Sequence, residues 1–151
     1  MRDTDLATRR LRTWIRLLRL TRATENHLRE YLRVKHGTTL PRFDVMAALH
    51  RVDGPMKMSD LSRQLLVSNG NATAVVERLE KEGLAQRAPG EGDRRVVLVE
   101  LTDKGRAVFE AQAADHRAEV DRLFSMLEHE ELDALRDILH RVEEASDGQN
   151  G

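Results

Sequence analysis

The sequence predicts a mainly α-helical chain carrying one small β-hairpin, and three observations lead there. Both ends hold long stretches in which apolar residues recur at spacings of three and four, the pattern of amphipathic helices. Between them, residues 58–83 read as two short helices joined by a tight turn. Finally, a charged tip with two glycines (Gly90, Gly92, Asp93, Arg94, Arg95) separates two short apolar runs, as the turn of a hairpin does.

Taken in order, Leu11, Trp14, Ile15, Leu18, Leu28, Tyr31 and Leu32 make residues 6–35 one long helix, with arginine over much of its other face. Gly37 stops it, and Pro41 suits the first turn of a second helix. That helix runs to His50 on an apolar face of Phe43, Met46, Ala47 and Leu49, and Asp53-Gly54-Pro55 turns the chain. Ser59 is placed to cap a short helix over 60–66, with Leu61 and Leu65 inward. Val67 falls in the turn, and Ser68 or Asn69 caps the next helix, whose inner stripe is Ala72, Val75, Val76 and Leu79. Gly83 closes that helix and Leu84 packs back on its end.

Residues 84–88 and 95–101 then read as strands around an exposed turn at 89–93. Thr102 caps a helix to about Leu127, and a last helix from about 130 carries Leu132, Leu135, Ile138, Leu139 and Val142. The whole is a winged helix-turn-helix over 55–102, inserted in a helical region of 1–54 and 103–145. Residues from Ala145 onward are polar and small, so 146–151 is expected to be a flexible tail.

Composition narrows the classes. The 151 residues are 40% hydrophobic and 34% charged, a length sufficient for one core. No cysteine is present, which excludes disulfides, thiolate metal sites and thiol redox sensing. No apolar run approaches a membrane span, and no signal-type apolar segment follows the arginine-rich start, so a cytoplasmic location is expected. The formal net charge of −1 hides a gradient: residues 1–54 carry +6, 55–100 carry 0 and 101–151 carry −7. The ends can attract each other within a chain or across a dimer, or be two solvated helix faces.

The helix from 69 starts with Ser68, Asn69, Gly70, Asn71 and Thr73. Such short donors and acceptors at a helix N-terminus suit base edges in the major groove, and Gly70 and Ala72 keep the surface low. Ser and Asn also serve as ordinary caps; the hairpin that follows favours the nucleic-acid reading. At the hairpin tip, Arg94 suits the negative minor groove, and Asp93 can hold it or its neighbour by a charge-assisted pair. Arg95 suits a phosphate or the domain body. Arg87, Lys57, Arg63 and Gln64 are candidate backbone contacts, although such side chains are also common on any surface.

The order Leu61-Ser62, Ser68-Asn69-Gly70-Asn71-Ala72-Thr73, Val76, Arg78-Leu79-Glu80, Gly83-Leu84, then Asp93-Arg94-Arg95 and Leu101-Thr102-x-x-Gly105 resembles the MarR family (multiple antibiotic resistance regulators) over nearly the whole chain. The resemblance implies an obligate homodimer with interlocked terminal helices. It also implies a pseudopalindromic DNA operator, a repressor in most cases, and release by small aromatic or phenolic ligands. It carries the wing-tip role onto Arg94 and the recognition role onto Ser68, Asn69, Asn71 and Thr73. The start Trp14-Ile15-Arg16-Leu17-Leu18 is similar to regulators of aromatic-acid catabolism. That similarity makes an aromatic acid or its CoA thioester the expected effector, with Trp14, Arg16, His36 and Arg42 as candidate contacts.

Other classes fit less well. The six histidines are scattered, with no HExxH, nucleophile elbow or phosphate-cradling glycine loop, so no catalytic residues and no cofactor are expected. A metal-responsive winged-helix regulator is the alternative, but no histidine–carboxylate pair has convincing ligand spacing and no metal ligand is assigned. A winged domain used only for protein contacts would bind no duplex at all.

Overall fold

The computed structural model describes residues 5–65 and 69–149. Helix α1 (Leu6–His36) begins at Asp5, whose carboxylate accepts from the Thr8 amide at 3.0 Å, and stops at Gly37 in the left-handed region (φ 62°). Thr39 caps α2 (Leu40–His50), with Pro41 in the first turn. A two-residue strand, β1 (Met56–Lys57), leads directly into α3 (Met58–Leu65). Ser59 therefore lies inside the first turn of α3 and does not cap it. The sequence reading missed β1 because two residues are too few to show an alternation.

Helix α4 (Asn69–Lys81) is followed by β2 (Ala85–Pro89) and β3 (Val97–Leu101). The sheet is antiparallel in the order β1-β3-β2, pairing Met56 with Val99, Ala85 with Leu101 and Pro89 with Val97. Pro89 sits on an edge strand, where its missing N–H costs no ladder bond. Arg95 and Val96, expected to open the second strand, belong to the turn. There the Asp93 carboxylate accepts from the Arg95 amide at 3.0 Å, and Gly90 N–H donates to Val96 O at 2.8 Å. The Asp side chain thus folds the backbone back on itself before β3 can start.

Helix α5 (Asp103–Leu123) stops short of the expected Leu127, in a turn where Leu127 N–H donates to Phe124 O at 3.0 Å. Helix α6 (His129–Gln149) extends over 146–149 of the expected tail, with Ser146 Oγ donating to Val142 O at 2.9 Å. Once a helix is nucleated each further residue adds one bond for one residue fixed, which carries α6 past weak helix formers. Two compact units divide within α5, after His116. In the second, no described residue of α6 is buried.

The first unit holds one core. Leu32 of α1 meets Phe43, Val45, Met46, Ala48 and Leu49 of α2, together with Leu61, Ala72, Val76, Leu79, Val99 and Phe109. The end of α4 is fixed to the start of α5 by a dense set of bonds. Gly83 has φ 75°, its N–H donates to Glu80 O at 3.0 Å, and Leu84 N–H donates to Leu79 O at 2.9 Å, which is a Schellman stop. Thr102 then acts three ways. Its N–H donates to Leu84 O (3.1 Å), its hydroxyl donates to Gly83 O (2.6 Å), and its Oγ1 accepts from Gly105 N–H (3.0 Å). Lys104 Nζ donates to Glu82 O at 3.0 Å. A Cβ on Gly105 would lie 1.8 Å from Leu84 O.

Helix α5 is also clasped to α2. The Phe43 ring lies 5.4 Å from Phe109 and 4.6 Å from His116, and His50 lies 4.9 Å from Phe109. Nε2 of His50 is 3.2 Å from Glu110, and His36 of α1 is 2.8 Å from Asp115. Burial lowers the pKa of His116, opposed in part by the charge of Asp44.

Gly105→Ala should cost roughly 3 kcal/mol, because a backbone carbonyl must move to admit one methyl; a melting temperature equal to the parent's would refute the close approach. His116 binds its proton more weakly folded than unfolded, so its contribution to stability is present above the ordinary histidine range and is lost on acidification. His116→Phe keeps the stack and removes the titration. Its denaturation midpoint, measured against the parent's, should improve between pH 7 and pH 5, and a constant difference would contradict this.

Candidate nucleic-acid interface

A helix that reads a groove needs its inner face anchored and its first turns accessible. Ala72, Val76 and Leu79 anchor α4, while Gly70 and Asn71 are exposed and Thr73 is half-buried. Asn69 starts the helix; Val67 and Ser68 lie outside the described residues. Of the expected backbone contacts, Lys57, Arg63 and Gln64 are brought together on one open depression of about 640 Å³, which also includes Asp60. Arg63 is 3.4 Å from Asp60.

The three wing arginines differ in what they already hold. Arg87 is paired with Glu80 at 3.1 Å and Glu77 at 3.6 Å, bracing β2 against α4, and the Glu80 carboxyl is held below its usual range by that guanidinium. Arg95 is engaged by Asp93, with Nε 3.1 Å from the carboxylate, whose pKa is lowered by the same contact. Arg94 is exposed at the tip and forms no hydrogen bond or ion pair with a described residue. The expectation that Asp93 holds one of the two tip arginines is therefore met by Arg95, which leaves Arg94 extended into solvent.

The four residues expected at an effector are not gathered in one chain. Trp14 is 57% exposed, and the single helix α1 separates it from His36 by roughly 33 Å at 1.5 Å per residue. Arg16 is exposed on the same helix. His36 is engaged by Asp115. Arg42 is paired with Glu82 at the end of α4, its side chain only 13% exposed and its Nε buried without a partner. Burial and the nearby charge of Arg78 lower its pKa.

A cavity that the sequence did not point to opens between α2 and α4. It measures about 390 Å³ and is lined by Pro41, Asp44, Val45, Leu65, Asn71, Ala72, Ala74 and Val75. Asp44 escaped notice because a lone carboxylate on an amphipathic helix reads as its solvated face. Among the described residues no three histidine, aspartate or glutamate side chains cluster as a metal site would require. No described helix is long and apolar enough to cross a membrane.

Comparison with known proteins agrees with this architecture. A model described as the MarR family matches residues 36–96. The chain is 32% identical over 133 residues to the HTH-type transcriptional regulator MhqR of Bacillus subtilis (strain 168), spanning 87% of this chain and 90% of that protein. Among solved structures it is similar to AbsC, a MarR family transcriptional regulator from Streptomyces coelicolor, with a TM-score of 0.83 at 27% identity over 98% of this chain and 99% of that one. It is also similar to a mutant MarR from E. coli complexed with operator DNA, with a TM-score of 0.74 at 26% identity over 92% and 99%. The winged helix-turn-helix, the Thr102–Gly105 closure and these likenesses converge: the chain belongs to the MarR family of DNA-binding transcriptional regulators.

Proposed function

We propose that this regulator is a homodimeric repressor whose subunits read the two halves of a pseudopalindromic operator and which a small ligand releases. The observation that carries the reading is the uncommitted Arg94 at the wing tip beside the accessible start of α4. In this arrangement Asn71 and Thr73, with Ser68 and Asn69 preceding them, meet base edges in the major groove. Arg94 enters the adjoining minor groove, where a guanidinium is attracted by the concentrated negative potential. Lys57, Arg63 and Gln64 meet phosphates. Arg87 and Arg95, already paired with carboxylates, keep the wing in shape. The operator complex of the E. coli relative supports this use of the fold.

Two exposed apolar stripes support the dimer. Leu11, Trp14, Ile15, Leu17 and Leu20 are exposed on α1, and Leu132, Leu135, Ile138, Leu139 and Val142 on α6. That much apolar surface on two helices is an interaction face, and the charges of +6 and −7 at the two ends of the sequence are complementary. Residues 1–54 and 103–145 thus serve as the dimerisation region around the 55–102 reading unit. Two-fold pairing sets two α4 helices about 34 Å apart, one turn of DNA. For an aromatic acid or CoA thioester as effector, Trp14 and Arg16 offer a ring and a cation on α1, whereas His36 and Arg42 already serve Asp115 and Glu82.

An operator recovered by selection from randomised duplexes provides the test. Arg94→Ala should weaken its binding by roughly 1–3 kcal/mol and flatten the salt dependence, with an unchanged melting curve; equal affinity for parent and variant would remove the wing-tip role. Sedimentation of the parent at micromolar concentration should give a dimer, and Ile138→Asp should give a monomer that no longer holds the operator. A parent that sediments as a monomer while binding the operator tightly would defeat the paired reading.

A further inference from the structure

The packing between α2 and α4 is apolar and incomplete. Val45 and Met46 of α2 share a core with Ala72, Val76 and Leu79 of α4, and apolar burial is non-directional. Toward its start, α4 faces Pro41, Asp44 and Val45 of α2 across the cavity of about 390 Å³, so close packing does not fix the tilt there. The closure at Gly83, Thr102 and Gly105 sets α4 against the wing and α5, not against α2.

A directional link is present at the other end of α4. The Arg42 guanidinium reaches from the first turn of α2 to the carboxylate of Glu82, directly after the last residue of α4. Its side chain is only 13% exposed, and its Nε is buried without a described partner. Arg78 Nε stands 4.0 Å from the same carboxylate, and Lys104 Nζ donates to the Glu82 carbonyl at 3.0 Å. Glu82 is thus held from α2 by its side chain and from α5 by its backbone. Burial, and then the charge of Arg78, disfavour a charged guanidinium at Arg42. Desolvation of this kind offsets much of the attraction in a partly buried pair. Little net stability is left for the pair to supply; what it supplies is a fixed direction.

We infer that Arg42 is a positioning residue for DNA recognition: through Glu82 it sets the tilt of α4 against α2, and so the seating of Asn71 and Thr73, without touching DNA. The inference rests on α4 as the groove-reading helix. Asn71 and Glu82 are eleven positions apart, about 16 Å along a helix axis. Over that length a tilt of roughly 10° about the held end moves Asn71 by about 3 Å, a whole hydrogen-bond length. Such a shift breaks contacts to base edges, which carry sequence preference, while long cationic side chains still reach phosphates.

A double-mutant cycle on the full chain tests this, with Kd measured by fluorescence anisotropy on the selected operator and on its single-base substitutions. Arg42→Met and Glu82→Gln should each raise the operator Kd roughly tenfold, comparable to one mismatched base pair, and narrow the preference over substituted duplexes. The double variant should be no worse than either single one, because both remove the same link. Arg42→Lys keeps a cation in place and should recover part of the preference. The slope of log Kd against log salt should stay at the parent's value, since no phosphate contact is lost. Glu82→Gln, at an exposed site, reads the same loss should Arg42→Met fail to fold. Unchanged preference in Arg42→Met or Glu82→Gln, additive losses in the double variant, or a shallower salt slope in Arg42→Met overturns the positioning role. Asn71→Ala distinguishes that failure from failure of the underlying reading: an unchanged preference there shows that α4 does not read the groove, and the inference falls with it.

Discussion

The approach of Gly105 to the Leu84 carbonyl is the contact on which the rest of the reading unit depends. A helix that reads DNA must stop at a defined residue, and the chain must leave it in a defined direction to build the wing. Here the stop is made twice, by the left-handed Gly83 and by Thr102 returning from the far side of the hairpin to bond Gly83 O and Leu84 O. Thr102 can reach those carbonyls only because α5 begins against the backbone of Leu84, and only a residue without a Cβ allows that. One closure therefore fixes the C-terminal end of α4, the base of β2 and β3, and the first turn of α5. Backbone packing this tight is not continuously adjustable, so α4, wing and α5 share one geometry.

Charge at the wing follows a division of labour that sequence position alone does not reveal. Three arginines occur within nine positions of the hairpin, 87 to 95, yet two are neutralised locally by Glu77, Glu80 and Asp93. Exposed pairs of this kind add little stability; their effect is to hold strand and turn in one conformation. With the Asp93 carboxylate bonded to Arg95 and its amide, the tip is a closed loop, and Arg94 is the side chain it projects. A cation displayed on a rigid support loses less entropy on entering a groove than one on a flexible loop.

Most of the fold was legible because its elements obey long, simple periods. Leu11 to Leu32 fix α1, Ala72 to Leu79 fix the inner face of α4, and Gly37 and Gly83 mark their stops. What escaped was set by contacts distant in sequence. β1 exists because Met56 and Lys57 pair with Val99 and Leu98, and no local pattern can show a partner forty residues away. Arg95 left its strand because a carboxylate two residues earlier captured its amide. In the candidate sites, the types of the residues proposed to face DNA were readable, since short polar groups at a helix start carry their own chemistry. Whether a cation was already spent was not, which is why Arg42 and His36, plausible ligand contacts by type, turn out to serve Glu82 and Asp115.

Helix α2 is where these separate features meet, and the reason is the 100° turn between successive residues of a helix. Arg42 reaches Glu82 at the end of α4, Phe43 stacks on Phe109 and His116 of α5, Asp44 faces the cavity, and Val45 lies in the core. Consecutive side chains thus bear on α4, α5, the cavity and the core, and a rotation of α2 cannot change one without changing the others. Because the core behind Val45 and Met46 is close-packed, such a rotation is resisted unless the whole set shifts to a second arrangement. Any shift of α2 therefore bears on α4 by two routes at once, through the wall that Val45 shares with Ala72 and Val75 and through the pair of Arg42 with Glu82.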